Sequence, residues 1–167
     1  MYLHHGEDQD SHWHKISEAV SCDTTNCIYY WKCTKPNCQE YPSCEYIGMT
    51  TRQFKDRLAE HRDYPKRNVT TEPSGLHFTQ PGHTVAHLKG LVLEKVRSPD
   101  PFVLKAREHL LIQKFDTYRN GLNPEPWIFF HSGTETFMET TLCSVINYYL
   151  CDQEIYCSTK IVILWYL

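Results

Sequence analysis

Residues in the middle of the chain have the side-chain types that hydrolysis of a phosphodiester requires. That reaction needs a base for the attacking water, a cation at the developing phosphorane charge and help for the leaving oxygen. Each residue taken singly has an ordinary structural explanation, such as a core tyrosine, a solvated helix face or a turn asparagine. Their order along the chain carries the argument. In that order, the candidates are Tyr29, Tyr46, Arg57, His61, Glu108 and Asn123.

A second group of residues combines cysteine with histidine. Cys33, Cys38 and Cys44 lie close together in the sequence, and His77 and His83 follow later. Thiolates and imidazoles are the ligands that Zn²⁺ prefers in structural sites. We expect free thiols and loop histidines here. A structural zinc site, separate from the catalytic residues, is the alternative interpretation.

The sequence around the first candidates predicts a β-hairpin followed by a helix. Cys27–Cys33 is rich in aromatic and β-branched residues, and Glu45–Gly48 continues the same pattern after a polar loop. A helix is then expected to run to Arg62, with Thr50 or Thr51 as its cap.

The later part of the chain predicts a loop and a third strand. Arg57 and His61 are four residues apart, so they share one face of the first helix. Residues 63–82 are punctuated by proline and glycine and predict a loop. Residues 88–96 alternate in polarity well enough to predict a third strand.

A second long helix is expected to begin near Pro101. Leu104, Leu111 and Phe115 form its apolar stripe, and Glu108 lies on the flank of that stripe. The carboxylate of Glu108 is therefore expected to be partly buried or directed into a cleft. The expected fold is α/β, with a small three-stranded, mainly antiparallel sheet flanked by helices.

Charge is distributed unevenly along the chain. The 167 residues have a formal net charge of -3. Residues 22–127 contain 15 basic and 12 acidic residues, a net charge of +3, so the two ends together are acidic. Basic side chains on or after the first helix are expected to steer DNA, and a solvated helix face is the alternative. These are Arg52, Lys55, Arg62, Lys66 and Arg67.

The sequence predicts three segments. Residues 1–21 are expected to be a flexible lead, residues 22–127 the functional domain, and residues 128–167 a tail to which we assign no role. The longest apolar run, Ile161–Leu167, is too short for a membrane span, and the start lacks a secretion signal. We expect a soluble, intracellular and nuclear protein that is not secreted. The short length suggests a domain of something larger.

Five short motifs, in this order, resemble the GIY-YIG endonuclease family. The resemblance covers about 100 of the 167 residues. Each motif is weak alone, whereas the ordered set is specific. One departure is that cysteine replaces the first glycine, so the start of that strand can differ from the family's. The motifs are Cys27–Tyr29, Tyr46–Gly48, Arg57–His61, Arg107-Glu108 and Gly121–Asn123.

The resemblance implies a DNA endonuclease with one divalent ion. Glu108 would hold Mg²⁺ or Mn²⁺, Tyr29 would be the general base, and Arg57 would bind the scissile phosphate. The products would have 3′-hydroxyl and 5′-phosphate ends. By the same resemblance, Tyr46 and His61 would position water or relay a proton, and Asn123 would fix backbone or substrate geometry.

The segment His77–His83, together with the hairpin cysteines, resembles the GIY-YIG nucleases attached to reverse transcriptases of Penelope-like retroelements. That resemblance implies a nick that primes reverse transcription. It also implies a reverse transcriptase domain or a larger polyprotein as a partner. Two other interpretations stay open: a non-catalytic DNA-binding or zinc-stapled module, and a repair or restriction nuclease.

Overall fold

The computed structural model describes residues 2–5, 12–16, 19–38 and 44–124. All of them lie in one compact unit, Met1–Ile128. The tail that the sequence analysis assigned to residues 128–167 lies outside the described residues. In the part of the chain that is described, no helix has the length and apolar character needed to cross a membrane.

A three-stranded antiparallel sheet forms the centre of the domain. Strands β3 (Cys27–Cys33), β4 (Glu45–Thr50) and β5 (Leu88–Lys95) pair in the order β4-β3-β5. This confirms the three predicted strands and the α/β class. The register sets Tyr29 opposite Gly48.

The two faces of β3 contact different helices because successive side chains of a strand point to opposite sides. One face packs against helices α1 (Phe54–Asp63) and α2 (Pro73–Phe78) and includes Tyr29 and Trp31. The other face packs against α3 (Pro101–Phe115). The sheet therefore has helices on both sides, with the two tyrosine motifs facing α1 and α2.

Helix α1 begins later than the sequence predicted. Its N-cap is Gln53, which makes no side-chain capping hydrogen bond, so the predicted cap at Thr50 or Thr51 was wrong. Thr50 instead ends β4, and its hydroxyl accepts a hydrogen bond from the backbone N–H of Arg52, which turns the chain toward the helix.

Residues 63–82 also differ from the prediction, because they contain α2. Pro73 opens this short helix, where proline loses no helical hydrogen bond. A Cβ atom on Gly75 would lie 1.8 Å from the carbonyl oxygen of Val69, so α2 can approach the preceding loop only with glycine there. Tertiary contacts, which local sequence does not reveal, hold this helix.

The segment expected to be a flexible lead contains two paired strands. Strands β1 (Tyr2–His5) and β2 (His12–Lys15) form an antiparallel hairpin. His14 and Ile16 are buried, and the ring of His14 contacts that of Phe115. Part of this segment therefore packs against α3, although its residues show no regular pattern of polarity.

Helix α3 is fixed at its start and along its length. The carboxylate of Asp100 accepts a hydrogen bond from the backbone N–H of Phe102 and caps the helix. Arg107 makes two hydrogen bonds to Glu94 on β5. These contacts set the position of Glu108 on the side of the helix that faces the sheet, where it is buried.

Candidate active site and cysteine-histidine cluster

The hydroxyl of Tyr29 is the centre of a buried hydrogen-bonded group. Nε of Arg57 donates to the hydroxyl oxygen over 3.1 Å, and Nε2 of His61 lies 2.8 Å from it. Tyr29 comes from β3, while Arg57 and His61 come from successive turns of α1. Three of the predicted catalytic residues are therefore in direct contact.

His61 is enclosed on both sides of its ring. Its Nδ1 lies 3.0 Å from Oγ of Ser74, and the side chains of both residues are fully buried. Ser74 was not among the sequence candidates. It lies in a stretch that predicted a loop, and no residue pattern there connects it to His61, thirteen positions earlier.

Burial keeps the side chains of Tyr29 and His61 neutral. Burial raises the pKa of Tyr29 well above its usual range, and the neighbouring Arg57 opposes that rise. Burial, with a contribution from Arg57, lowers the pKa of His61 to about 3. At neutral pH the phenol therefore holds its proton and the imidazole is uncharged, so their contact is a hydrogen bond between two neutral groups.

Arg57 has further partners that fix its guanidinium. One terminal nitrogen, Nη1, donates to Oε2 of Glu60 over 3.0 Å and to the hydroxyl of Tyr64 over 2.9 Å. Glu72 lies 3.9 Å from the other terminal nitrogen. The side chain is one-fifth exposed, so the cation combines a fixed orientation with access to an anion from outside.

Tyr46 lies beside this group and is partly buried. Its ring stacks on Trp31, with centroids 5.0 Å apart, and meets the edge of His61 at 5.6 Å. Burial raises the pKa of Tyr46, and the nearby hydroxyl of Tyr29 raises it further. Tyr46 thus belongs to the same cluster of rings.

Gly48 leaves the space that both tyrosine rings need. A Cβ atom there would lie 2.4 Å from the hydroxyl oxygen of Tyr29 and 2.8 Å from Cε1 of Tyr46. The glycine of the second motif is therefore required by packing. The residue that replaces glycine in the first motif, Cys27, is accommodated in the buried core, where burial raises its pKa to about 11.

Glu108 lies on α3, a different helix from the one that carries Arg57 and His61. It is buried on α3, and its carboxylate pairs with Lys105 one turn earlier. Among the described residues it makes no hydrogen bond to Tyr29 or Arg57. Its negative charge is close enough to add to the burial that raises the pKa of Tyr29. The structure thus brings Glu108 near the tyrosine group without direct contact.

Asn123 has a structural role at the edge of the sheet. Its amide nitrogen donates to the carbonyl of Ile47 over 2.7 Å, and its amide oxygen accepts from the N–H of Ile47 over 2.9 Å. Leu122 adds a backbone hydrogen bond to Glu45. These contacts give hydrogen-bond partners to backbone groups at the edge of β4, on both sides of Tyr46. They therefore fix the backbone of that strand.

Four of the five cysteine and histidine candidates converge on one point. Their ligand atoms all lie within 4.8 Å of one another. Sγ of Cys38 is 3.6 Å from Nε2 of His77 and 3.5 Å from Nε2 of His83. Two thiols and two imidazoles form a donor set that could hold a metal such as zinc. The members are Cys33, Cys38, His77 and His83.

Cys44 lies next to this cluster but outside the group of four. Its Sγ is 2.8 Å from that of Cys38. His87, a third histidine in this part of the chain, lies outside the group, and its Nδ1 accepts a hydrogen bond from the backbone N–H of Thr84. The group of four therefore combines two hairpin cysteines with two histidines, one on α2 and one just after it.

The predicted DNA-contacting residues are exposed, but they differ in their partners. Arg52 pairs with Glu60 over 2.6 Å, and Lys55 pairs with Asp23 over 2.6 Å. Exposed pairs of this kind contribute little and yield readily to a competing anion. Arg67 pairs with Asp63, and Arg62 and Lys66 are also exposed.

The chain matches no family model, no curated protein and no solved structure.

Proposed function

We propose that the chain is a metal-dependent DNA endonuclease of the GIY-YIG type, which hydrolyses a phosphodiester to leave 3′-hydroxyl and 5′-phosphate ends. The observation that carries this proposal is the position of the Tyr29 hydroxyl between Nε of Arg57 and Nε2 of His61. A phenol held between a fixed cation and a neutral imidazole has both the charge and the proton acceptor that a base needs.

In this proposal, Tyr29 removes the proton from the attacking water. The hydroxyl must first lose its own proton, which burial disfavours and Arg57 favours. His61 is the neutral acceptor next to it. Arg57, partly exposed and held by Glu60 and Tyr64, stabilises charge on the scissile phosphate.

Glu108 would hold the divalent ion. Mg²⁺ and Mn²⁺ keep several waters and need few carboxylates, so one buried glutamate is a sufficient protein donor if Lys105 releases it. When bound, such an ion supplies positive charge that stabilises the leaving oxygen. The cluster of Cys33, Cys38, His77 and His83 would hold a structural Zn²⁺ that has no part in the chemistry.

The substrate in this proposal is DNA, contacted by the basic residues on and after α1. Those that pair with acidic side chains would exchange that partner for phosphate, which makes binding salt-dependent. We extend the proposal to a nick in target DNA made for a retroelement, in the nucleus, with a reverse transcriptase domain or larger polyprotein as partner. The cysteine-histidine cluster supports this extension.

Two adjacent tyrosines provide the test. Tyr29→Phe removes the hydroxyl of the proposed base, whereas Tyr30→Phe removes a buried hydroxyl that bonds Glu45 on the other face of the sheet. We expect the full chain to nick supercoiled plasmid with Mg²⁺ or Mn²⁺, Tyr29→Phe to lose at least a hundredfold in rate, on the order of one general base, and Tyr30→Phe to retain activity. Equal rates for the two folded variants would contradict the proposal.

A second candidate is a non-catalytic, zinc-stapled DNA-binding module. It is favoured by the burial of Tyr29 and His61 and by the pairing of Glu108 with Lys105. Salt-sensitive DNA binding by a folded, zinc-loaded chain that never cleaves would select this candidate over the endonuclease.

A further inference from the structure

The imidazole of His61 is held by one hydrogen bond on each ring nitrogen. Nε2 faces the hydroxyl of Tyr29 at 2.8 Å, and Nδ1 faces Oγ of Ser74 at 3.0 Å. In a neutral imidazole one nitrogen carries the proton and the other accepts a hydrogen bond. Which nitrogen carries it decides whether His61 can take a proton from Tyr29.

The contacts of Tyr29 indicate which tautomer is present. Arg57 can only donate, so its hydrogen bond uses the Tyr29 oxygen as an acceptor. The buried phenol keeps its own proton, and among the described residues Nε2 of His61 is the acceptor within reach. Nε2 therefore carries the lone pair and Nδ1 the proton. It follows that Nδ1–H donates to Oγ of Ser74.

The same short helix carries Ser74 and a member of the cysteine-histidine cluster. Ser74 and His77 are three residues apart on α2, and Nε2 of His77 lies 3.6 Å from Sγ of Cys38. Gly75, between them, packs against the Val69 carbonyl. Helix α2 is thus fixed at the cluster and at the preceding loop, and Ser74 moves only if the helix does.

We propose that Ser74 is a positioning residue that keeps His61 in the Nδ1–H form with Nε2 turned toward Tyr29, and that the cysteine-histidine cluster holds Ser74 in place through α2. The role of this proton path in catalysis rests on the proposed nuclease function. The tautomer and the link through α2 do not.

The first test measures the tautomer directly in the full chain. Long-range ¹H–¹⁵N spectra of ¹⁵N-histidine-labelled protein distinguish a protonated ring nitrogen from an unprotonated one. We expect His61 to give a protonated Nδ1 and an unprotonated Nε2. Ser74→Ala should convert His61 to a mixture of tautomers, and Ser74→Thr, which keeps the hydroxyl, should restore the parent pattern. A protonated Nε2 in the parent protein would overturn the proposal without any variant.

The link to the cluster is tested by the same spectra. Cys38→Ser removes one thiol from the cluster, and Cys22→Ser changes an exposed cysteine outside it. We expect the His61 signals to shift or broaden in the first variant and to stay unchanged in the second. Unchanged His61 signals in a folded Cys38→Ser protein would overturn the link through α2.

Kinetics separate this proposal from the nuclease assignment. If the chain cuts DNA, Ser74→Ala should lower kcat by roughly tenfold, the value of one neutral hydrogen bond, with little change in KM. An equal loss in Ser74→Thr would refute positioning by the hydroxyl. A chain with the expected His61 tautomer and no cleavage would reject the nuclease function and leave the positioning role supported.

Discussion

Replacing Gly48 with alanine would insert a methyl group between two aromatic rings of the candidate site. The new Cβ would lie 2.4 Å and 2.5 Å from two atoms of Tyr29 and 2.8 Å from one of Tyr46. Cβ atoms essentially never make contacts under 3.0 Å. Tyr29 cannot move aside easily, because it is buried and its hydroxyl contacts Arg57 and His61.

The loss of stability in Gly48→Ala follows from the rigidity of these rings. Overpacking a core usually costs about 1–3 kcal/mol, and two fixed rings place Gly48→Ala at or above the upper end of that range. Gly90→Ala is the matched control in β5, because its one contact under 3.0 Å, at 2.9 Å, is with the flexible end of Leu58, while Phe54 and the Tyr30 carbonyl oxygen lie at 3.2 Å and 3.3 Å. We expect that control to cost about 1 kcal/mol or less.

Urea unfolding of the full chain, followed by circular dichroism, measures both costs. The unfolding free energy should fall by about 2 kcal/mol more in Gly48→Ala than in Gly90→Ala, the difference of the two costs above. Equal losses in the two variants would show that Tyr29 and Tyr46 are not packed rigidly over Gly48. That result would refute the fixed position of the Tyr29 hydroxyl in the candidate site.

Three further outcomes are expected. Because the pKa of His61 falls from 6.5 to about 3 on folding, the unfolded chain binds the extra proton between these values. The unfolding free energy should therefore decrease as pH drops from 6.5, by at most about 1.4 kcal/mol per pH unit from this residue, and urea unfolding of His61→Asn should lack that slope. Asn123→Ala should destabilise the chain by about 2–4 kcal/mol in the same assay, because it leaves two buried backbone groups of β4 without partners; the exposed Asn120→Ala should change stability by under about 0.5 kcal/mol. Elemental analysis should find one zinc per parent chain and per Cys22→Ser chain but less in Cys38→Ser, and a parent chain without zinc would support the free-thiol interpretation instead.

The sequence predicted those parts of the fold that local patterns determine. Cys27–Cys33 has the aromatic and β-branched composition of a strand, the alternating polarity of residues 88–96 predicted another, and Pro101 marks the start of α3. The four-residue spacing placed Arg57 and His61 on one helix face, and the structure brings that face into contact with Tyr29.

The parts that were missed depend on contacts between distant segments. Helix α2 contains glycine and only six residues, so propensity does not predict it, and its stability comes from packing. Ser74 could not be found without that helix. The distances between Cys38 and the two histidines, His77 and His83, likewise depend on tertiary contacts that the local sequence does not determine.

Glu108 was placed correctly on a buried helix flank, but its surroundings were not foreseen. The resemblance implies a carboxylate ready for a divalent ion, whereas the structure pairs it with Lys105 on the same helix. The resemblance and the structure agree only if the ion displaces Lys105. The proposed nuclease function therefore depends on the Glu108 carboxylate.

Nicking of supercoiled plasmid by the full chain with Mg²⁺ or Mn²⁺ is the direct test of metal-dependent cleavage that requires Glu108. Glu108→Gln keeps the size of the side chain and removes its charge, and Asp56→Asn is a control that removes the charge of an exposed carboxylate on α1. We predict cleavage by the parent and by Asp56→Asn, abolished by a chelator and lost in Glu108→Gln. A folded parent that binds DNA without nicking it, or a Glu108→Gln variant that nicks as fast as the parent, would contradict the account.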